Sequence, residues 1–330
     1  MARRLLCCGM ERIDPAPSRA RRKRLTPAPP PLRRLAAPGW STPRAEAGEA
    51  ECFFCAGAAL ATLAALLAEE PAWGGALRQR LALRAGAASA RVMRLREDEP
   101  ALRDAEHLYA AGEPGPAGRL HRLWRRLAIA KDPVACLAEA GAWMGLPQDH
   151  SAALRCEGSA LAAAAAAARA IYGAAPAHLR AEAELLGLFA ADVTLAGRLG
   201  VWPPIPLLAT KFGDPALRRG AAGRRPRPDD LDWPRSAAFA LALAARDAVA
   251  LADDLQRRAA ALATAQPKLR AKGAGRVVAL LLSDDAATPA HAARAAGLSD
   301  RAARRLFDRL VTLGAVRELT GRDTFRIYGL

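Results

Sequence analysis

A mainly α-helical chain ending in a small β-hairpin accounts best for this sequence, on three grounds. Apolar residues make up 52% of it and aromatics only 5%. Ala and Leu dominate the apolar set; both are strong helix formers, whereas strands favour β-branched and aromatic residues. From about Glu51 the apolar residues recur at helical spacing. Finally, residues 274–330 spell helix, helix, turn, helix and then two short runs, the order of a winged helix-turn-helix.

With 330 residues there is room for about two domains. The punctuation predicts a disordered basic tail over 1–50, an all-α body over 51–266, a linker at 267–273 and a winged helix over 274–330. The tail is dominated by Pro and Arg, as in Arg19-Ala-Arg-Arg-Lys-Arg24 and Pro27-Ala-Pro-Pro-Pro31. Such a stretch buries too little apolar surface to offset its chain entropy. In the body the pattern predicts helices at 52–68, 76–96, 101–111, 117–130, 133–145, 151–173, 177–199 and 235–265. Their breaks fall at Pro71, Gly112-Glu-Pro-Gly-Pro116, Gly173 with Pro176, and Trp202-Pro-Pro-Ile-Pro206. Residues 213–234, rich in Pro, Gly, Arg and Asp, read as a long exposed loop.

The final module is the most specific part. Residues 275–283 form its first helix. Thr288-Pro289 marks the start of the second, with a capping hydroxyl and Pro at the first helical position. Gly297 sits in the turn. Ser299 caps the third helix and Asp300 lies in its first turn, where the helix dipole favours negative charge. Leu298, Ala303, Leu306, Phe307, Leu310 and Val311 fall towards one side of that helix. Ser299, Arg301, Arg304, Arg305, Asp308 and Arg309 fall on the other. Gly314 is placed to stop it in the left-handed conformation. Residues 316–320 and 323–328 then flank Gly321-Arg322 as a type II′ hairpin, a register that sets Val316 opposite Ile327 and Arg317 opposite Arg326. Two like charges facing each other destabilise a sheet, and a phosphate nearby would relieve them.

Charge separates the ends from the middle. The net charge is +16, made up of +7 over 1–50, +3 over 51–266 and +6 over 267–330. A polyanionic partner is therefore argued for the ends alone. Arg suits both guanine edges and phosphates, and the N-terminal half of the last helix of such a module is what meets base edges. The expected DNA-binding residues are Ser299, Arg301, Arg304, Arg305, Arg309, Arg322 and Arg326.

Elsewhere the chemistry is sparse. Cys52-Phe-Phe-Cys55 has the spacing of a redox or zinc pair, but no second pair follows and the flanks are apolar. Buried thiols on a helix are the simpler reading, and Cys7-Cys8 lacks context. Six cysteines form no dense framework, which favours a reducing cytoplasm. The uncharged stretch 52–68 is mostly Ala and reads as a buried core helix rather than a membrane span. None of His107, His121, His150, His178 and His291 has a partner at ligand spacing. No phosphate loop, nucleophile elbow or zincin motif occurs, so neither metal, cofactor nor catalytic activity is expected. Asp253-Asp254 reads as i, i+4 pairing with nearby arginines. Trp124 with Arg119, Arg122, Arg125 and Arg126 makes a basic aromatic face, open either to nucleic acid or to simple coverage of a helix by Arg stems.

The string from Leu298 through Arg304-Arg-Leu-Phe307 and Arg317-Glu-Leu-Thr-Gly-Arg322 to Leu330 resembles the end of a bacterial family known as domain of unknown function 1403. Phe53-Phe54 followed by Ala56-Gly-Ala-Ala-Leu60, Arg80-Leu-Ala-Leu-Arg84, Ala101-Leu-Arg-Asp104, Pro114-Gly-Pro-Ala-Gly118 and Pro206-Leu-Leu208 point the same way, and together cover most of 51–330. Cys52 and Cys55 stand where the resemblance would place ordinary small or apolar residues. The resemblance implies no activity. The leading expectation is a cytoplasmic, regulator-like DNA-binding protein whose body associates with itself or another protein or senses an effector, away from membranes. The competing one is an adaptor that uses the same module on a protein surface.

Overall fold

In a computed structural model the described residues are 32–108, 112–146, 148–218, 223–269, 271–322 and 325–330. Four features singled out in the sequence lie outside them: Cys7-Cys8, the basic cluster at 19–24, the Pro-rich run at 27–31 and the first residues of the second hairpin run. The larger of two compact units, Arg34–Leu330, holds all the α-helices and strands among the described residues.

The body is built from helix pairs. Helix α1 (Glu49–Ala68) runs along the 33-residue α9 (Trp233–Ala265). Between them in sequence come α2 (Gly74–Val92), α3 (Glu99–Leu108), α4 (Gly115–Leu127), α5 (Pro133–Trp143), α6 (Ala160–Ala174), α7 (Arg180–Leu199) and the short α8 (Leu208–Lys211). Helix α6 packs on α7, and α2 packs on α4 while also touching α3, α8, α9 and the helix over Ala274–Ser283. Ala-rich faces allow these close approaches, and a few large side chains fill the remaining space. Trp124 lies against Phe189 at 5.2 Å between ring centroids, and Phe212 meets Trp233 edge-on at 5.9 Å. The Trp233 indole donates to the Ala165 carbonyl at 2.9 Å, which satisfies its one buried polar group.

The ends of the helices follow local chemistry. Asp132 accepts from the amides of Val134 and Ala135 ahead of α5, with Pro133 at the first position. Helix α7 ends at Gly200 in the left-handed conformation. The predicted single helix over 151–173 is instead two elements. A 3₁₀ turn, Ser151–Arg155, is followed by Cys156-Glu157-Gly158, and α6 restarts behind a Ser159 cap that accepts from the Ala162 amide. Gly158 has φ +104, which a continuous helix cannot accommodate.

Packing against the body begins before Glu51, within residues whose composition suggested a tail. The Asp253 carboxylate accepts from the Leu35 amide at 2.8 Å. Arg246 donates to the Pro38 carbonyl and the Ser41 hydroxyl, and Arg235 donates to the carbonyls of Ala45 and Ala47. Helix α9 thus satisfies the backbone of this segment. The described part of 213–234 is likewise pinned rather than freely exposed. Arg225 forms a bidentate pair with the buried Glu184 at 2.6 and 2.7 Å and lies 4.3 Å over the Phe212 ring. Burial pushes the Glu184 carboxyl upward, and Arg225 opposes it only in part.

Helix α1 satisfies the core-helix expectation on one face only. Cys52, Cys55, Ala56, Ala59, Leu60, Leu63 and Leu67 are buried, whereas Phe54 is 65% exposed and stacked on Trp40. By length and composition α1 is long and apolar enough to cross a membrane.

The chain closes with α10 (Ala274–Ser283), α11 (Pro289–Ala296), α12 (Asp300–Thr312) and a two-stranded antiparallel pair, β1 (Arg317–Glu318) and β2 (Tyr328–Gly329). The strands pair Arg317 with Gly329 and Glu318 with Tyr328, so Arg317 does not face Arg326 and Val316 does not face Ile327. The turn is longer than a two-residue hairpin. Glu318 causes this: its carboxylate accepts from the Thr320 amide and hydroxyl and from the Gly321 amide at 2.9 Å, curling the chain just after β1.

Candidate nucleic-acid interface

Residues 274–330 are assembled by the caps read in the sequence. The Thr288 hydroxyl accepts from the His291 amide at 3.1 Å, and Ser299 accepts from the Ala302 amide at 3.3 Å. Between α11 and α12 the chain turns at Gly297, which is left-handed at φ 66. Ala303, Leu306, Phe307 and Leu310 are buried on one side of α12, and Leu298 is half-buried at its entrance. Val311, expected on that side, is 40% exposed. Phe307 stacks on Tyr328 with centroids 4.4 Å apart and planes 13° apart, joining α12 to β2. Ala287, in the segment between α10 and α11, bridges Tyr328 by reciprocal backbone bonds of 2.8 and 2.9 Å. Tyr328 is therefore paired on both sides, with Ala287 and with Glu318.

The opposite side of α12 is open. Ser299, Arg301, Arg304, Arg305 and Arg309 are all exposed. Among the described residues, none of these four guanidiniums meets a carboxylate. The remaining two predicted residues sit differently. Arg322 pairs with Asp104 of α3 at 2.7 Å, so it faces the body. Arg326 is exposed, donates to the Arg322 carbonyl at 3.3 Å and bonds the Tyr328 phenol. The structure thus groups four predicted arginines and the capping Ser299 on one helix face and sets the two hairpin arginines apart.

A buried charge network that sequence reading did not find ties these residues to the body. Asp285, with its side chain 2% exposed, receives Arg80 of α2 and Arg103 of α3, the latter at 2.7 Å. Asp284 forms a bidentate pair with Arg125 of α4 at 2.9 Å on both arms. Burial pushes the Asp285 carboxyl up, but Arg80 and Arg103 outweigh it and hold the group at about 2. Asp284 is also held below the usual carboxylate range, by Arg125 against the same burial. Beside the network lie His107 and His121, both pushed down by burial, His121 to about 3. Gly75 at the start of α2 completes the contact. A Cβ there would lie 2.7 Å from the Ser283 Cα, so the end of α10 approaches too closely for a side chain. The one signal available was an Asp pair after an apolar helix with no cation one turn away.

Two of the acidic residues in 267–330 are therefore neutralised against the body, and the outer surface of this region is more positive than its net charge suggests. The other basic face does not compete with it. Arg119, Arg122, Arg125 and Arg126 pair with Glu113, Glu106, Asp284 and Glu139, and Trp124 is buried with its indole on the Ser89 hydroxyl at 2.9 Å. Asp253 and Asp254 pair with Arg257 and Arg258 along α9, as their spacing predicted. Cys52 and Cys55 both face the core, and burial pushes the Cys55 thiol up, away from thiolate chemistry. Among the described residues no three His, Cys, Asp or Glu side chains gather as a metal site would need.

No curated protein and no solved structure matches this chain. Residues 31–330 match the family model described as "Protein of unknown function (DUF1403)". Of the motif residues that pointed to this family in the sequence, Arg80, Arg103 and Asp104 are among the body's ionic contacts to the C-terminal residues. Since the match spans nearly the whole chain, the protein belongs to the DUF1403 family.

Proposed function

We propose that residues 274–330 are a winged helix-turn-helix, that the protein binds DNA through the outer face of α12, and that the helical body associates with itself or senses an effector. The observation that carries this reading is the group of four exposed arginines on α12 that meet no carboxylate among the described residues. The equally basic string on α4 is by contrast neutralised by Glu113, Glu106, Asp284 and Glu139. Unneutralised charge concentrated on one amphipathic helix suits a polyanion. Two features support the fold assignment. A tight turn at Gly297 joins α11 to α12, and the Ala287–Tyr328–Glu318 pairing supplies a small sheet beside them. Arg301, Arg304 and Arg305 occupy the first half of α12, the half that meets base edges or the phosphates beside them.

The test is a salt-titrated binding assay of the full chain on genomic DNA fragments. A DNA reader loses affinity steeply with salt yet keeps a preference among fragments. Arg301→Ala and Arg304→Ala should each cost about 1–3 kcal/mol and relax that preference if they contact bases. A folded Arg301/Arg304/Arg305 triple Ala variant that binds as wild type does would replace this reading with that of a protein adaptor.

A further inference from the structure

A groove runs between the segment that leads into α10 and the side of α12. Lys268 and Lys272 form one wall, Arg305 and Arg309 the other, with Leu298 and Leu306 in its floor. Gly273 sets its width. A Cβ there would stand 2.8 Å from the Ala296 carbonyl and 3.0 Å from the Leu298 side chain, so the segment lies directly against the turn before α12. Among the described residues no carboxylate lines the groove and none of the four cations forms an ion pair. All four are exposed.

We infer that this groove holds the sugar–phosphate backbone of one DNA strand, with Lys268 and Lys272 as phosphate ligands opposite Arg305 and Arg309. The inference rests on the DNA-binding reading above and assigns a contact outside the helix-turn-helix itself. Four like charges facing one another across a groove repel, and a row of phosphates removes that repulsion with release of its own counterions. The spacing suits a strand. Arg305 and Arg309 are four positions apart, about 6 Å of helical rise, on the order of the distance between two successive phosphates of one strand. An apolar floor excludes base-edge hydrogen bonding but accepts deoxyribose. Arg305 then turns to the backbone, leaving Arg301 and Arg304, one face further round α12, for the bases.

Lys268→Gln/Lys272→Gln in the full chain tests this, by fluorescence anisotropy on a mixed-sequence duplex across a potassium chloride series. Each lost phosphate contact lowers the slope of log affinity against log salt by about 0.9. The double variant should therefore show a slope smaller by about 1.8, with unchanged preference among duplexes. Lys268→Arg/Lys272→Arg should restore the slope. Arg91→Gln/Arg96→Gln, which removes the same charge from exposed positions elsewhere, should leave it as in wild type. A wild-type slope in the double Gln variant overturns the groove assignment while DNA binding itself stands. An equal fall in the Arg91/Arg96 control also overturns it. A wild-type protein with no salt-dependent affinity for duplex DNA removes the underlying reading, and this inference with it.

Discussion

Asp285→Asn keeps the size of the side chain and removes its charge, leaving Arg80 and Arg103 facing each other inside the contact between the body and the C-terminal residues. Their side chains are 14% and 12% exposed and that of Asp285 is 2%, so water screens little of the interaction. The Asp285 carboxyl sits at about 2 rather than 3.8. At about 1.4 kcal/mol per unit, that difference corresponds to roughly 2–3 kcal/mol in favour of the charged form. Removing one partner from a buried pair costs more, about 3–5 kcal/mol, because the remaining charges stay buried without compensation. A loss near 3 kcal/mol is therefore expected, read by urea denaturation near neutral pH with far-ultraviolet circular dichroism. Arg44→Ala is the control. It breaks a pair whose side chains are 79% and 34% exposed and should produce no resolvable change. The pH dependence gives a second check. A depressed carboxyl contributes stability above its unfolded value and loses it as pH falls through the folded one. The gap between wild type and Asp285→Asn should hold from neutral pH to about 4 and close towards about 2. Amide exchange should show the loss first in α10–α12, the elements that the pair secures. A variant within about 1 kcal/mol of wild type would refute the view that this network holds the two parts together.

His121 is buried, and among the described residues neither ring nitrogen has a hydrogen-bond partner. Burial lowers it from 6.5 to about 3, so across that window the unfolded chain takes up a proton that the folded chain refuses. Stability should fall as pH is lowered below about 6.5, by up to about 1.4 kcal/mol per pH unit, and His121→Phe should flatten the curve in denaturation series; His107 acts with the same sign. Leu306 is 5% exposed beneath the arginine face of α12, and Leu306→Ala should cost about 2–5 kcal/mol by chemical denaturation.

What the sequence made legible is local. Thr288, Ser299, Gly297 and the alternation of Arg with Leu along α12 act within a turn or two of themselves, and each stands where its spacing placed it. Several departures depend on polar groups whose partners no pattern of apolar spacing supplies. The strand register follows Glu318 curling onto Thr320 and Gly321, together with a bridge to Ala287 some forty residues earlier, and no hairpin rule contains either. Residues 35–47 resemble a tail by composition, yet arginines nearly two hundred positions later on α9 satisfy their carbonyls. Asp284 and Asp285 look like a solvated loop until Arg80, Arg103 and Arg125 are folded over them. The same principle bears on function. Composition counts arginines but cannot distinguish those that the fold neutralises from those it leaves open. Arg122 and Arg125 on α4 and Arg301 and Arg304 on α12 belong to equally basic strings. Glu106 and Asp284 reach the first pair, whereas no described carboxylate reaches the second. A charged face becomes a candidate for binding only after the acids that could occupy it have been placed. On that criterion α12, rather than the basic aromatic helix of the body, is where a polyanion has unopposed charge to meet.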